Sequence, residues 1–224
     1  MAQIHGLAGE WARVKGTVFG LWPLFLGVFA AGISTCALFV RPAVGAFLLA
    51  LSLIACFAFF VRGLKHVERY YIGARGEERV AAILRSLPDG YHVFNDFVAG
   101  RHHVDHVVVG PAGVYAVETK NWRGMVTVED GRVLVDGRLP DRSPLVQARR
   151  EADAVKAELK IIGWDGDVTP LVAFASDTLS TGPCEPGGVV IMNARDLRKA
   201  FSDSRAVLAG DELGRLVGLM ETRG

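Results

Sequence analysis

The sequence predicts a domain of the α/β class, a sheet flanked by helices, preceded by a transmembrane hairpin of two helices. Three observations lead there. Two uncharged apolar runs stand near the start, 24 residues from Thr17 to Val40 and 19 from Ala43 to Val61. Behind them, short β-rich runs bounded by glycine and proline alternate with segments of helical periodicity. Finally, the 50% apolar content and mean hydropathy of +0.28 come largely from the two runs, and the rest has the composition of a soluble domain. The order of elements by itself also admits α+β.

At about 1.5 Å per residue the runs reach roughly 36 and 28 Å as helices, close to the ~30 Å hydrocarbon core of a bilayer. Arg41-Pro42 separates them with a charge and a helix breaker. A signal peptide is excluded because its apolar region is shorter and the second run would outlast cleavage. Arg13 and Lys15 precede the hairpin and Arg62, Lys65, Arg69 and Arg75 follow it, against Arg41 alone between the runs. The positive-inside rule then expects both termini in the cytoplasm, and the expected location of the hairpin is a bacterial inner membrane. Gly20, Gly27 and Gly32 admit close helix packing, and with it a homo-oligomer, without forming one clean small-residue face. The expected organisation is a cytoplasmic N-terminal segment (1–16), the hairpin (17–61, spans 17–40 and 43–61), a juxtamembrane helix (62–72), a core (73–160) and C-terminal strands and helices (161–224).

The net charge is +1. Setting aside Arg13, Lys15, Arg41, Arg62 and Glu10 at the hairpin leaves 21 basic against 23 acidic residues. A strongly basic nucleic-acid surface is excluded, so any contact with a polyanion must be local. The three cysteines have no metal-ligand spacing, and Cys36 and Cys56 lie inside the runs, so neither a disulfide framework nor a zinc cluster is expected.

Gly73 and Gly76 mark a soft boundary before a helix with Val80, Ile83, Leu84 and Leu87 on one face, stopped by Pro88-Asp89-Gly90. Tyr91 to Asp96 is a strand. His103 to Val109 and Val114 to Lys120 form a hairpin around Gly110-Pro111-Ala112-Gly113, and 125–129 and 132–135 form another around Asp130-Gly131. Ser143-Pro144 opens a helix with Leu145, Ala148, Ala152, Val155 and Leu159 on one face. Thr169 to Ala175 and Gly188 to Met192 are further strands, followed by helices capped at Asn193 and over Asp211 to Glu221.

The first hairpin carries the chemistry. If Gly110 to Gly113 form its loop, Val109 faces Val114 and Asp105 faces Glu118, with Cβ atoms about 4.5–5.5 Å apart on one face. Like charges so placed repel unless a cation sits between them, and oxygen ligands suit Mg²⁺ or Mn²⁺. Lys120 shares that face by alternation and would stabilise charge developing on a phosphoryl group. An exposed Glu-x-Lys pair on a sheet is the plainer reading.

Several segments in order, Gly73-Ala74-Arg75-Gly76-Glu77-Glu78, Leu87 to Tyr91, Val104 to Val114 and Val117 to Gly124, resemble the NERD (nuclease-related) domain of the PD-(D/E)xK phosphodiesterase superfamily. The resemblance covers roughly 73–160. It implies a restriction-endonuclease-like mixed sheet flanked by helices and a Mg²⁺-dependent nuclease core. In that core Asp105 and Glu118 hold metal, the Thr119 carbonyl adds a ligand, and Lys120 is the catalytic lysine. Glu77 matches the acid of the preceding helix and Gln147 the polar residue of the following one. Glu77 also suits the dipole at a helix start, and Gln147 also suits simple exposure.

Two residues past the strand, Trp122 and Arg123, are placed to stack on a base or hold phosphate, and Trp122 equally to cap the core edge. His103, opposite Lys120 in the same register, would touch phosphate. The expected function is membrane-anchored hydrolysis of nucleic-acid phosphodiesters, in DNA before RNA, with no small-molecule organic cofactor. The rival is a catalytically inactive membrane-tethered module that binds nucleic acid or protein.

Overall fold

A computed structural model describes residues 1–222, which divide into two units: residues 10–74, and residues 1–9 together with 75–222. The first is a helical hairpin. Helix α1 covers Glu10–Val40, and α2 starts one residue later and covers Pro42–Arg85. Arg41 alone joins them, its N–H donating to the Ala37 carbonyl and its carbonyl accepting from the Gly45 N–H, both at 2.9 Å.

Both helices are long and apolar enough to cross a membrane, and only 11% of the most apolar window of each is buried within the chain. That exposure excludes the core helix of a soluble protein, which would hide this surface. The small residues of α1 face α2 of the same chain. A side chain at Gly16 would meet Tyr70, at Gly20 Val67, and at Gly27 Cys56, while Ser34 Oγ lies 3.2 Å from Ser52 Oγ. Gly32 meets nothing within 4 Å. Glycine spacing of this kind serves close packing within the hairpin.

The second unit is a sheet between two helical layers. Its strands are β1 (Gln3–His5), β2 (His92–Ala99), β3 (His102–Gly110), β4 (Gly113–Lys120), β7 (Val168–Phe174) and β8 (Val190–Asn193), in that spatial order. Strands β2, β3 and β4 are antiparallel neighbours, whereas β1 on β2, β7 on β4 and β8 on β7 are parallel, so the sheet is mixed. The hairpin of β5 (Val126–Glu129) and β6 (Arg132–Val135) turns at Asp130 and Gly131, both at positive φ, as a two-residue Asp-Gly turn requires.

Helix α3 (Pro144–Ile161), capped by the Ser143 hydroxyl, crosses over between the parallel strands β4 and β7. Its Ala152, Val155 and Leu159 cover one sheet face with Leu216, Val217 and Met220 of α5 (Gly210–Glu221). Val80 and Leu84 of α2 cover the other with Leu197 and Phe201 of α4 (Ala194–Asp203). Each such leucine or valine contributes ~1.5–3 kcal/mol through burial.

Three features depart from the sequence reading. Helix α2 does not break at Gly73 or Gly76. Glycine costs only about 1 kcal/mol inside a helix, and Gly76 is needed because a side chain there would strike Asn121 beyond β4. Within the N-terminal segment lies a strand the sequence reading did not include: the Ala2 N–H donates to the Leu87 carbonyl and the Gln3 N–H to that of Tyr91, making β1 an edge strand. Lastly, the Asn193 side chain makes no cap; it exchanges hydrogen bonds of 2.9 Å with the Leu179 backbone instead.

The hairpin packing predicts that a Ser34→Cys/Ser52→Cys protein lacking Cys36 and Cys56 forms an intramolecular disulfide under mild oxidation. Adding Gly63→Leu, whose side chain would meet the Gly20 backbone carbonyl, should abolish the cross-link, read as a gel shift.

Candidate active site

The β3–β4 ladder runs from Gly110↔Gly113 to His106↔Val117 with Val109 opposite Val114, the register that the sequence implies. The connecting loop is only Pro111-Ala112, because the two flanking glycines pair. Below His106 the ladder ends. The β2–β3 ladder, regular through Asn95↔His106 and resuming at Phe97↔Val104, also skips one row, Asp96 and Asp105.

At that row Asp96 takes φ +52°, a conformation that aspartate tolerates better than most residues. Both strands there change the face that their side chains address. Phe94 and Phe97 of β2, and Val107 and Val104 of β3, all pack into the layer under α3 and α5, three residues apart instead of two. The Asp105 carboxylate takes over where the ladder stops: its Oδ2 accepts the Thr119 N–H at 2.8 Å.

The slip moves His103 away from Lys120. The ladder does not extend to that pair, and His103 Nε2 lies 3.0 Å from Asp96 Oδ1 instead.

Around the opened row the side chains of four elements converge. Lys120 Nζ donates to Glu118 Oε1 at 2.5 Å and to Gln147 Oε1 at 2.9 Å, and Gln147 Nε2 donates to Glu151 Oε1 at 2.9 Å. Gln147 and Glu151 are one helical turn apart on α3 and point the same way. Glu77 enters from α2 beside Gly76. Thr119 provides the N–H that holds Asp105, and its buried hydroxyl has no hydrogen-bond partner.

Glu77, Glu118 and Glu151 are buried, and the acids repel one another. Burial pushes Glu151 up to about 9, helped by the Glu118 charge and a hydrogen bond to Glu118. Glu77 rises to about 7 through burial and then the charges of Asp96 and Glu118. Asp105 is held well above the usual carboxylate range by burial, then by Glu118 and Glu77, despite the Thr119 N–H. Lys120 is the one lysine or arginine among these groups, too little to neutralise them.

Such a site fits a hard divalent cation. Its donors are carboxylate oxygens, and Glu77 Oε2 and Glu151 Oε2 are buried without a hydrogen-bond partner. Asp105 and Glu118, with Glu77 beside them, are the carboxylates that would hold it.

Next to Lys120 and Gln147 opens a groove of about 730 Å³, lined also by Trp122, Arg123, Arg138 and Arg142. Trp122 lines the groove and packs on Phe174, with ring centroids 5.7 Å apart.

Sequence reasoning left out Glu151, Asp96, Arg138 and Arg142. Glu151 had a signal: it stands three residues after Ala148, within the apolar stripe of α3, where an acid on a solvated face would not be. Arg138 and Arg142 had only their nearness to the helix start.

Among known proteins, the model of the NERD family, described as nuclease-related domain, matches residues 72–175. No curated protein and no solved structure matches the chain.

On the face opposite α3, His106 Nδ1 and Asn95 Oδ1 pair at 2.8 Å in the row above Asp105. Burial pushes His106 down to about 4. The unfolded chain therefore takes up a proton near pH 6.5 that the folded one refuses. Stability should fall by on the order of 3 kcal/mol as pH drops from 6.5 to 4, with no such loss above 6.5. In chemical denaturation across this range, His106→Gln should lack that part of the slope.

Proposed function

We propose, on the premise that residues 72–175 are a nuclease-related domain, that this protein hydrolyses phosphodiester bonds of nucleic acid, DNA in the first place, at the Asp105, Glu118 and Lys120 cluster. The observation that carries the reading is the junction of a buried, acid-rich pocket with an arginine-lined groove through two shared residues, Lys120 and Gln147. An acid-rich pocket alone would repel a polyanion, and an arginine groove alone would only bind one.

Asp105, Glu118 and Glu77 would hold Mg²⁺ or Mn²⁺. Bound there, such an ion makes water acidic enough to attack at neutral pH and shields the phosphate charge. The chain's own residues do the rest. Arg123, Arg138 and Arg142 hold backbone phosphates on either side of the bond, and Trp122 offers a face on which a base stacks. Lys120 Nζ, fixed between Glu118 and Gln147, presents its charge and protons where negative charge develops on the phosphoryl oxygens. Gln147 keeps that ammonium from collapsing entirely onto Glu118.

The helices α1 and α2 would anchor the domain in a bilayer. With Arg and Lys in excess outside the spans, against Arg41 between them, the domain would lie on the cytoplasmic side of a bacterial inner membrane.

The full-length protein in detergent should cut DNA with Mg²⁺ and stop with EDTA. Asp105→Ala or Lys120→Ala should lower the rate at least ~100-fold, and Gln147→Ala about tenfold while sparing binding. Cleavage that persists in either of the first two variants disproves the assignment; binding without any metal-dependent cleavage in the wild type would mark a non-catalytic module. Arg138→Ala/Arg142→Ala should weaken DNA binding and reduce the slope of log affinity against log salt by about 1 for each phosphate no longer held.

A further inference from the structure

Away from the acidic pocket, a second set of metal-binding side chains meets at the edge of the sheet. His5 ends β1, His92 begins β2 and Glu221 ends α5, three elements far apart in the sequence. His5 Nε2 is 3.4 Å from His92 Nδ1, and His5 Nδ1 is 3.7 Å from Glu221 Oε1. One ligand atom from each of the three lies within 4.8 Å of the other two.

The rings are held by packing. His5 is the register partner of Phe94 in the parallel β1–β2 pair and stacks on its ring at 4.3 Å and 12°. His92 lies two residues before Phe94, on the same face, nearly parallel to His5 at 17°.

Two nitrogens 3.4 Å apart match the edge of a tetrahedron around an ion with bonds of about 2.0–2.1 Å. Two imidazoles and a carboxylate are a nitrogen-rich set that suits borderline ions, in contrast to the all-oxygen pocket around Asp105. A cleft of about 680 Å³ lined by His5, Phe94, Met220 and Glu221 gives an ion a way in and a water a place as fourth ligand.

We propose that His5, His92 and Glu221 bind a transition-metal dication of the Zn²⁺ class, which fastens the N-terminal strand to the start of β2 and the end of α5. Strand β1 has only three residues and one neighbour in the sheet. An ion bound to the folded state alone would stabilise that edge by mass action.

Titration of the full-length protein with Co²⁺ in the presence of excess Mg²⁺ tests this. One Co²⁺ per chain should bind with visible absorption of four-coordinate intensity, be displaced by Zn²⁺, and persist in Asp105→Ala, which separates it from the nuclease pocket. His5→Gln and His92→Gln should each weaken binding at least about tenfold. Zn²⁺ should raise the melting temperature of the wild type and not that of His92→Gln. Glu221→Gln, at a half-exposed helix end, should melt like the wild type without metal yet bind Co²⁺ more weakly. Absent Co²⁺ binding, or binding indifferent to both histidine variants, overturns the proposal. So does loss of binding in Asp105→Ala.

Discussion

The hydrogen bond from the Thr119 N–H to the Asp105 carboxylate organises the sheet-bearing unit. Where it forms, a side chain has replaced a backbone carbonyl as the partner of a strand, and the β3–β4 ladder stops. A closed ladder would have kept alternating side chains across the sheet; the opened row lets Glu77 from one layer and Gln147 and Glu151 from the other reach the same place. The left-handed turn at Asp96 and the shared change of face in β2 and β3 belong to the same event. Replacing the carboxylate by a methyl would leave a strand N–H without its acceptor as well as removing a charge.

Electrostatics divides this surface sharply over short distances. Outside the apolar hairpin the chain is close to neutral, yet it holds a pocket rich in acids directly beside a groove with three arginines. Net charge averages these two away. The ordering is functional in the proposed reading: the arginines act on phosphates that remain hydrated at the surface, while the buried carboxylates act on a cation that shares their desolvated environment. Lys120 touches both regions, and the Gln147 amide, accepting from Lys120 and donating to Glu151, transmits no net charge between them.

How much of this the sequence told depended on the range of each interaction. The β3–β4 register was legible because the Gly110 to Gly113 turn sets where the hairpin pairs, and that pairing propagates residue by residue as far as His106 and Val117. It failed for His103 because alternation assumes an unbroken pleat, and the break is made by a hydrogen bond that strand patterns do not encode. Strand β1 was illegible for another reason: Gln-Ile-His is too short to alternate, and its partner lies beyond both apolar helices. The continuous α2 was hidden by two glycines, one tolerated at small cost and the other, Gly76, kept for closeness to Asn121 and not as a break. Glu151 stood in plain view in an apolar stripe, masked by the charged residues around it.

The pairing of Gln3 with His92 has a topological meaning. The first strand of the chain and the rest of its sheet are joined through α1 and α2, so nothing in the sheet can form until both helices have been made. A strand cannot hydrogen-bond to a partner on the far side of a bilayer. Whatever membrane these helices enter, the intervening chain must therefore return to the side it left, and only an even number of crossings is compatible with this fold.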